Sequence, residues 1–202
     1  MRLLWLIGLL VLVGCVKLSQ PAPSTRTYRL DYPSPPINAK PLPVTVRVPP
    51  FSVGAIYDRE PMVYRDNAYT TAVDFYNRWS ANPGQMIADL VARDLASSGV
   101  YAAVQQAPSL LPSDYLLTGE IEEIEERVNG DSCAARLGLR IVLMRMRGGT
   151  GDPIVLRAGY SADEPCVCGD PFALSEAMSK SLARISAQLQ QEVSAAIAKD
   201  RR

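Results

Sequence analysis

The dipeptide Asn129-Gly130 constrains this chain more than any other pair of residues. Asn-Gly favours the tight turn of a β-hairpin, and here it stands between two long arms, Tyr115 to Val128 and Ala134 to Met146. In the second arm Leu137, Leu139, Ile141 and Leu143 fall on one face, with Arg136 and Arg140 on the other. In the first arm Leu117, Gly119 and Ile121 keep step, but Ile124 and Val128 do not. One extra residue near Glu122-Glu123, a β-bulge, restores the alternation. A hairpin with one long apolar face must be covered, and the remaining chain has the elements to cover it.

Val44 to Val48 has the period of a half-buried strand and stops at Pro49-Pro50. Met62 to Arg65 and Thr70 to Tyr76 read as two more strands around an Asp66-Asn67 turn. Thr27 to Leu30, Tyr101 to Val104 and Ile154 to Tyr160 add further short strands. Asn82-Pro83 opens a helix, with Asn82 as cap and Pro83 at the first helical position, and Gly99 closes it. A second helix, about Phe172 to Lys199, carries the apolar stripe Leu174, Met178, Leu182, Ile185, Leu189, Val193 and Ile197. Its first half is expected to pack on the sheet. Its last turns suit either the core or a partner helix. The pattern predicts a mixed α/β fold: one compact domain with a mixed β-sheet, a Pro-initiated helix and a long C-terminal amphipathic helix.

The N-terminus has a different composition. Arg2 precedes an apolar run from Leu3 to Val13, well short of the roughly 20 residues that span a bilayer, which is the form of a signal peptide. The run ends in Leu12-Val13-Gly14-Cys15, which resembles the lipobox of bacterial lipoproteins, although Val13 is larger than the small residue usual there. The plain alternative is an ordinary signal peptide with a coincidental cysteine. The resemblance implies cleavage before Cys15 and a covalent lipid on it, diacylglycerol plus an amide-linked acyl chain such as palmitate. Buried methylenes contribute about 0.8 kcal/mol each, so several chains make the attachment effectively permanent. Val16, rather than Asp, points by the sorting rule of such proteins to the periplasmic face of the outer membrane. The expected organisation is a signal peptide over 1–14, a lipid anchor and Pro/Ser-rich tether over 15–26, and a folded domain over 27–202. In polyproline geometry the tether reaches roughly 30 Å.

Composition removes several chemistries. There is no histidine, so Ser-His-Asp and Cys-His catalysis and histidine metal sites are excluded. Basic and acidic residues balance at 21 each, which leaves no basic footprint for nucleic acid. Glu120, Glu122, Glu123, Glu125 and Glu126 are the densest acidic cluster. With Arg136 and Arg140 across the ladder, they read as a solvated, charge-paired sheet face rather than a catalytic carboxylate pair. Gly148 to Gly151 lacks the Gly-Lys-Ser ending of a phosphate loop and reads as a turn. Cys133, Cys166 and Cys168 remain once Cys15 is lipidated. In an oxidising compartment a disulfide from Cys133 to Cys166 or Cys168 is expected, with one thiol left over; three thiolates on zinc are the lesser reading. No catalytic, cofactor-binding or metal-binding residues are assigned, and no cofactor is expected beyond the lipid on Cys15.

Several stretches in order resemble the ABC-type transport auxiliary lipoprotein family, which accompanies MCE-type lipid transport systems. They are Val44 to Pro49, Met62 to Arg65, Tyr76-Asn77-Arg78-Trp79-Ser80-Ala81-Asn82-Pro83, Leu90 to Leu95 and the terminal helix. The Cys166-Val167-Cys168 segment and the Gly148 to Gly151 loop depart from the pattern. The resemblance implies a fold of the anticodon-binding-like type found at the front of the TolB protein. It implies a non-enzymatic, outer-membrane partner of an ABC transporter and a periplasmic MCE-domain protein, helping phospholipid or other hydrophobic cargo across the periplasm. A homo-oligomer is compatible with that role. Two routes fit it. In one, Tyr57, Tyr64, Tyr69 and Trp79 contact a docked partner, with a core role as the alternative, stronger for Trp79 than for Tyr57. In the other, sheet and terminal helix enclose a groove for a lipid tail. The competing class is a structural or envelope-assembly lipoprotein without a transport role.

Overall fold

The computed structural model describes residues 24–106 and 111–202. The segment read as a signal peptide (1–14), Cys15 and most of the 15–26 segment read as a tether lie outside the described residues. In chain order the elements are β1 (Arg26–Tyr28), β2 (Leu42–Val48), β3 (Ser52–Val53), β4 (Pro61–Arg65), β5 (Thr71–Trp79), α1 (Pro83–Ser97), β6 (Tyr101–Gln106), β7 (Tyr115–Asn129), β8 (Ser132–Arg145), β9 (Ile154–Cys166) and α2 (Pro171–Asp200).

β7 is the spine of one mixed sheet. One edge pairs along its length with β8, which pairs with β9, all antiparallel. The other edge is shared by three short strands running parallel to it. β2 meets it at Tyr115-Leu116, β3 at Glu120-Ile121 and β4 at Glu126-Arg127. β6 extends the sheet beside β2. β5 lies antiparallel to β4, and β1 lies parallel to β5. α1 lies over β2, β6 and β7, and α2 lies over β8 and β9.

The arms form as their alternation requires. Leu137, Leu139, Ile141 and Leu143 are each 0 % exposed. The register slips between Ile121 and Glu123, so Glu122 is the extra residue and Ile124 returns to the core, opposite Leu137. The turn sits one residue later than the dipeptide suggests. Asn129 pairs with Ser132, the central residues are Gly130 and Asp131, and only Gly130 has positive φ (60°).

α1 begins as its residues dictate: the Asn82 side chain accepts from the Gly84 N–H at 2.9 Å, behind Pro83. A Cβ on Gly84 would lie 2.2 Å from the Phe51 carbonyl oxygen, so no larger residue fits where the chain entering β3 crosses the helix start. In α2 the stripe is buried from Leu174 to Ile197, last turns included. The stripe in those last turns therefore belongs to the core. Ser175, Ser179, Ser181, Ser186 and Ser194 are also buried, small enough to bring the helix close to the sheet. Truncating a stripe residue such as Leu182 is expected to cost about 2–5 kcal/mol.

Several boundaries move. β5 runs to Trp79 and β9 to Cys166, further than Tyr76 and Tyr160, because neighbouring strands carry the pairing past the point where apolar alternation ends. β1 ends at Tyr28, while Leu30 is buried beyond it. β3 is too short to leave a periodic signal.

Candidate functional site

Three polar clusters and a set of exposed aromatic side chains stand out among the described residues. The first cluster is the acidic run of β7. On the open sheet face Arg140 meets Glu120 at 3.0 Å and also Glu122, while Arg136 meets Glu123 at 2.8 Å and Asp163 at 2.7 Å. For these residues the charge-paired ladder is what forms, and exposed pairs of this kind contribute roughly 0–1 kcal/mol each. Glu125 and Glu126 depart from it: both are 1 % exposed. Glu125 is covered because β4 and the loop before it fold across this part of β7. Its carboxylate meets Arg65 at 2.7 Å and Arg127 at 2.9 Å, and it accepts a hydrogen bond from the Tyr57 hydroxyl. Burial and the bond to Glu125 push the Tyr57 phenol up to about 12.

Glu126 lies on the core side, since the bulge that returns Ile124 to the interior takes the second residue after it as well. One oxygen accepts from the Gly169 N–H at 3.0 Å, just before α2. The other has no hydrogen-bond partner among the described residues. Burial raises its pKa, against the Gly169 bond.

The second cluster was not among the candidates drawn from sequence. Asp94 in α1 is 0 % exposed and accepts from Tyr32 Oη (2.8 Å), Ser34 Oγ (2.7 Å), Arg93 Nε (3.0 Å) and Ser186 Oγ. The Arg93 guanidinium lies 4.6 Å from the Tyr32 ring centre. One carboxylate thus pins the proline-rich 31–36 segment to both helices. Its signal was available: Asp94 falls on the same helical face as Ile87 and Val91, where a charge needs buried partners.

The third cluster holds the cysteines. Cys133 and Cys168 are joined as a disulfide with sulfurs 2.11 Å apart, although Cys166 is the residue opposite Cys133 in the ladder. The Cys166 thiol is free, and burial together with nearby Glu126 raises its pKa to about 11, so it stays protonated at neutral pH. Glu126, Cys133 and Cys168 form the one metal-like grouping among the described residues, but two of its three donors are spent in the disulfide.

The four aromatic candidates separate. Tyr57 and Trp79 are 3 % and 2 % exposed, so the structure corrects their reading as docking contacts. Tyr57 is drawn inward by Glu125, and Trp79 is enclosed where β1 pairs with the end of β5. Tyr64 is half-buried and donates to Asp74 Oδ2 at 3.1 Å. Tyr69, in the β4–β5 turn, is almost fully exposed, with its N–H on Asn67 Oδ1 at 2.8 Å.

Sequence reading missed Phe75 and Tyr76, both exposed. They protrude from a bulge in β5, where the register jumps between Pro61↔Arg78 and Met62↔Asp74. Asp74 Oδ1 accepts from the N–H groups of Tyr76 (2.8 Å) and Asn77 (3.0 Å), and Oδ2 accepts from Asn77 Nδ2 at 2.7 Å. Burial alone would raise the Asp74 carboxyl, but these bonds and that from Tyr64 bring it below the ordinary range. A bulge is set by side-chain capture of backbone N–H groups, which alternation does not register.

The groove between α2 and the 37–42 segment has a volume of about 380 Å³ and is lined by Ile37, Ala39 and Leu42 together with Gln191, Ala195 and Ala198. Among the described residues no helix is long and apolar enough to cross a membrane.

These features define a class: a small mixed α/β domain on a long hairpin spine, closed by a C-terminal helix. The particular family follows from the sequence as a whole. The model of the ABC-type transport auxiliary lipoprotein component matches residues 28–190, and the chain belongs to this family of transport-associated lipoproteins. Among solved structures it is similar to protein XCC0632 from Xanthomonas campestris, with a TM-score of 0.78, 21% identity, and coverage of 87% of this chain and 98% of that one. The hypothetical protein CT253 from Chlamydia trachomatis is more distant, with a TM-score of 0.53, 12% identity, and coverage of 76% and 96%. At such identities the likeness is one of fold. No curated protein matches the chain.

Proposed function

We propose that this protein is held by lipid on Cys15 at the periplasmic face of the outer membrane and docks a periplasmic MCE-domain protein of an ABC transport system. In that place it helps phospholipid or similar hydrophobic cargo between membranes. The family membership supports the transport role. The observation that favours docking over carrying is the filled interior: the apolar stripe of α2 is buried against the sheet over its whole length. The groove left between α2 and the 37–42 segment is open to solvent, unlike the enclosing pockets that bury most of a lipid-sized ligand.

The test is an in-cell crosslinking pull-down of the intact protein beside a Cys15→Ala variant, read by mass spectrometry. Recovery of an MCE-domain protein, weakened without the cysteine, is the expected outcome. Recovery of envelope-assembly proteins alone would overturn the transport reading and favour a structural lipoprotein. Stoichiometric phospholipid retained by the purified protein would replace docking with carrying.

A further inference from the structure

Eight large apolar side chains are exposed among the described residues, and the topology gathers five of them, Tyr69, Phe75, Tyr76, Val167 and Phe172, at or near one end of the sheet. β4 runs parallel to the close of β7, with Tyr64 opposite Glu126 and Arg65 opposite Arg127. The β4–β5 turn bearing Tyr69 therefore overhangs the end where β7 turns into β8. β9 finishes opposite the start of β8, at Cys133↔Cys166, so Val167 lies at that end too. The Gly169–Glu126 bond brings in the start of α2 with Phe172, which lies beside Thr27 and Tyr28 of β1. Phe75 and Tyr76 stand on the outer strand between the turn and the residues that pair with β1.

The same topology says where the N-terminal chain leaves. β1 is parallel to β5, with Arg26 opposite Asn77, so Ser24 and Thr25 just before it run toward the start of β5 and the Tyr69 turn. Segment 16–25 spans at most about 35 Å even fully extended. The anchor is thus rooted at the apolar end, and within about 35 Å of it.

We propose that this end of the domain rests on the bilayer that holds the anchor, with Tyr69, Phe75, Tyr76, Val167 and Phe172 in the headgroup layer. The inference rests on lipid attachment at Cys15. Aromatic side chains favour that layer because an apolar ring and a polar edge are both accommodated there. The anchor supplies the high effective concentration that lets individually weak contacts persist. The patch is braced for the purpose. Asn67 and Asp74 hold the turn and the bulge, and the Cys133–Cys168 disulfide ties the segment carrying Val167 to β8. Asp66 and Asp131 are exposed at the same end together with Arg26, so this end carries charges of both signs, and the attraction is apolar rather than coulombic and needs no anionic lipid. The tether then lays the domain down on the membrane instead of holding it away, and the opposite end, with Met146 and the end of α2, faces the periplasm.

The test places the full lipidated chain in phosphatidylethanolamine–phosphatidylglycerol vesicles containing brominated phosphatidylcholine. It compares Phe75→Trp, Phe172→Trp and Met146→Trp, all at exposed positions, with the parent chain subtracted. The expected result is that the added tryptophan loses about half its emission at 75 and 172 and almost none at 146, unchanged by high salt. Amide hydrogen exchange of the unaltered chain supplies a second readout, with slowed exchange over 69–76 and 167–172 on vesicles relative to detergent. The mass of the N-terminal peptide reports the anchor separately. Lipid found on Cys15 with no quenching at 75 and 172 overturns the proposal and leaves the anchor standing. An unmodified Cys15 overturns both. Burial of positions 75 and 172 only on adding the periplasmic partner, or only at high protein concentration, assigns the patch to a protein surface and overturns the bilayer contact.

Discussion

Asp94 and Glu126 are both buried carboxylates, and the protein treats them in opposite ways. Asp94 has donors from the 31–36 segment, from α1 and from α2, so the hydrogen bonds that hold its charge also hold three parts of the chain together. Glu126 has one backbone donor and an oxygen without a partner, and its burial works against ionisation. Burial of a charge is costly in either place. What differs is whether the donors that offset the cost come from segments that need joining.

The comparison can be broken hardest at Asp94. Asp94→Ala leaves Tyr32, Ser34, Ser186 and Arg93 without their shared acceptor, and denaturant unfolding is expected to show a loss of about 3–5 kcal/mol. A loss below about 1 kcal/mol would mean that apolar packing alone holds the 31–36 segment.

The disulfide comes next, because it braces the same corner as Glu126 and closes a loop with a sequence separation of 35. A Cys133→Ala, Cys168→Ala double variant should lose about 2–4 kcal/mol in denaturant titration, with Cys166 still unpaired in thiol counting. A bridged dimer through Cys166 would show instead that this thiol is more accessible than its raised pKa implies.

Glu126→Gln sharpens the contrast with the opposite sign. The amide keeps an acceptor for the Gly169 N–H and removes the buried charge, while its N–H groups need acceptors that the lone carboxylate oxygen did not, so at neutral pH a net gain of no more than about 1 kcal/mol is expected in thermal unfolding. The folded pKa of Glu126 lies above its unfolded value. Its ionisation therefore costs stability that accumulates as pH rises from the unfolded value to the folded one and is constant above it, and the cost is absent below the unfolded value. The advantage of the variant should vanish below about pH 4. An advantage independent of pH would point to packing rather than charge.

The smallest effect is expected on the open ladder. Arg140→Ala breaks its pairs with Glu120 and Glu122, both well exposed, and should change stability by no more than about 0.5 kcal/mol.

Much of the fold was legible because its instructions are local. Both hairpin arms, the bulge at Glu122, the Asn82 cap with Pro83, and the α2 stripe follow from alternation and capping within a few residues. Placing Glu126 on the paired outer face was an error of parity: once Glu122 is the extra residue, Ile124 and Glu126 share a side. Glu125 is a different case. It does face away from the helices, and only the approach of β4 and Tyr57, distant in sequence, buries it. Tyr57 and Trp79 were offered as docking contacts with a core role as the alternative, and burial decides for the core, since an aromatic residue carries no local sign of what will cover it.

Sequence alone determined the periodicities, the turns and caps, and the absence of histidine chemistry, each a property of residues near one another or of composition. Tertiary structure decided which carboxylates are buried, that Cys133 bonds to Cys168 rather than to its ladder neighbour Cys166, and that five exposed apolar side chains gather at or near one end of the sheet. Those outcomes depend on which distant segments meet, and no short window of sequence encodes the cover a side chain will receive.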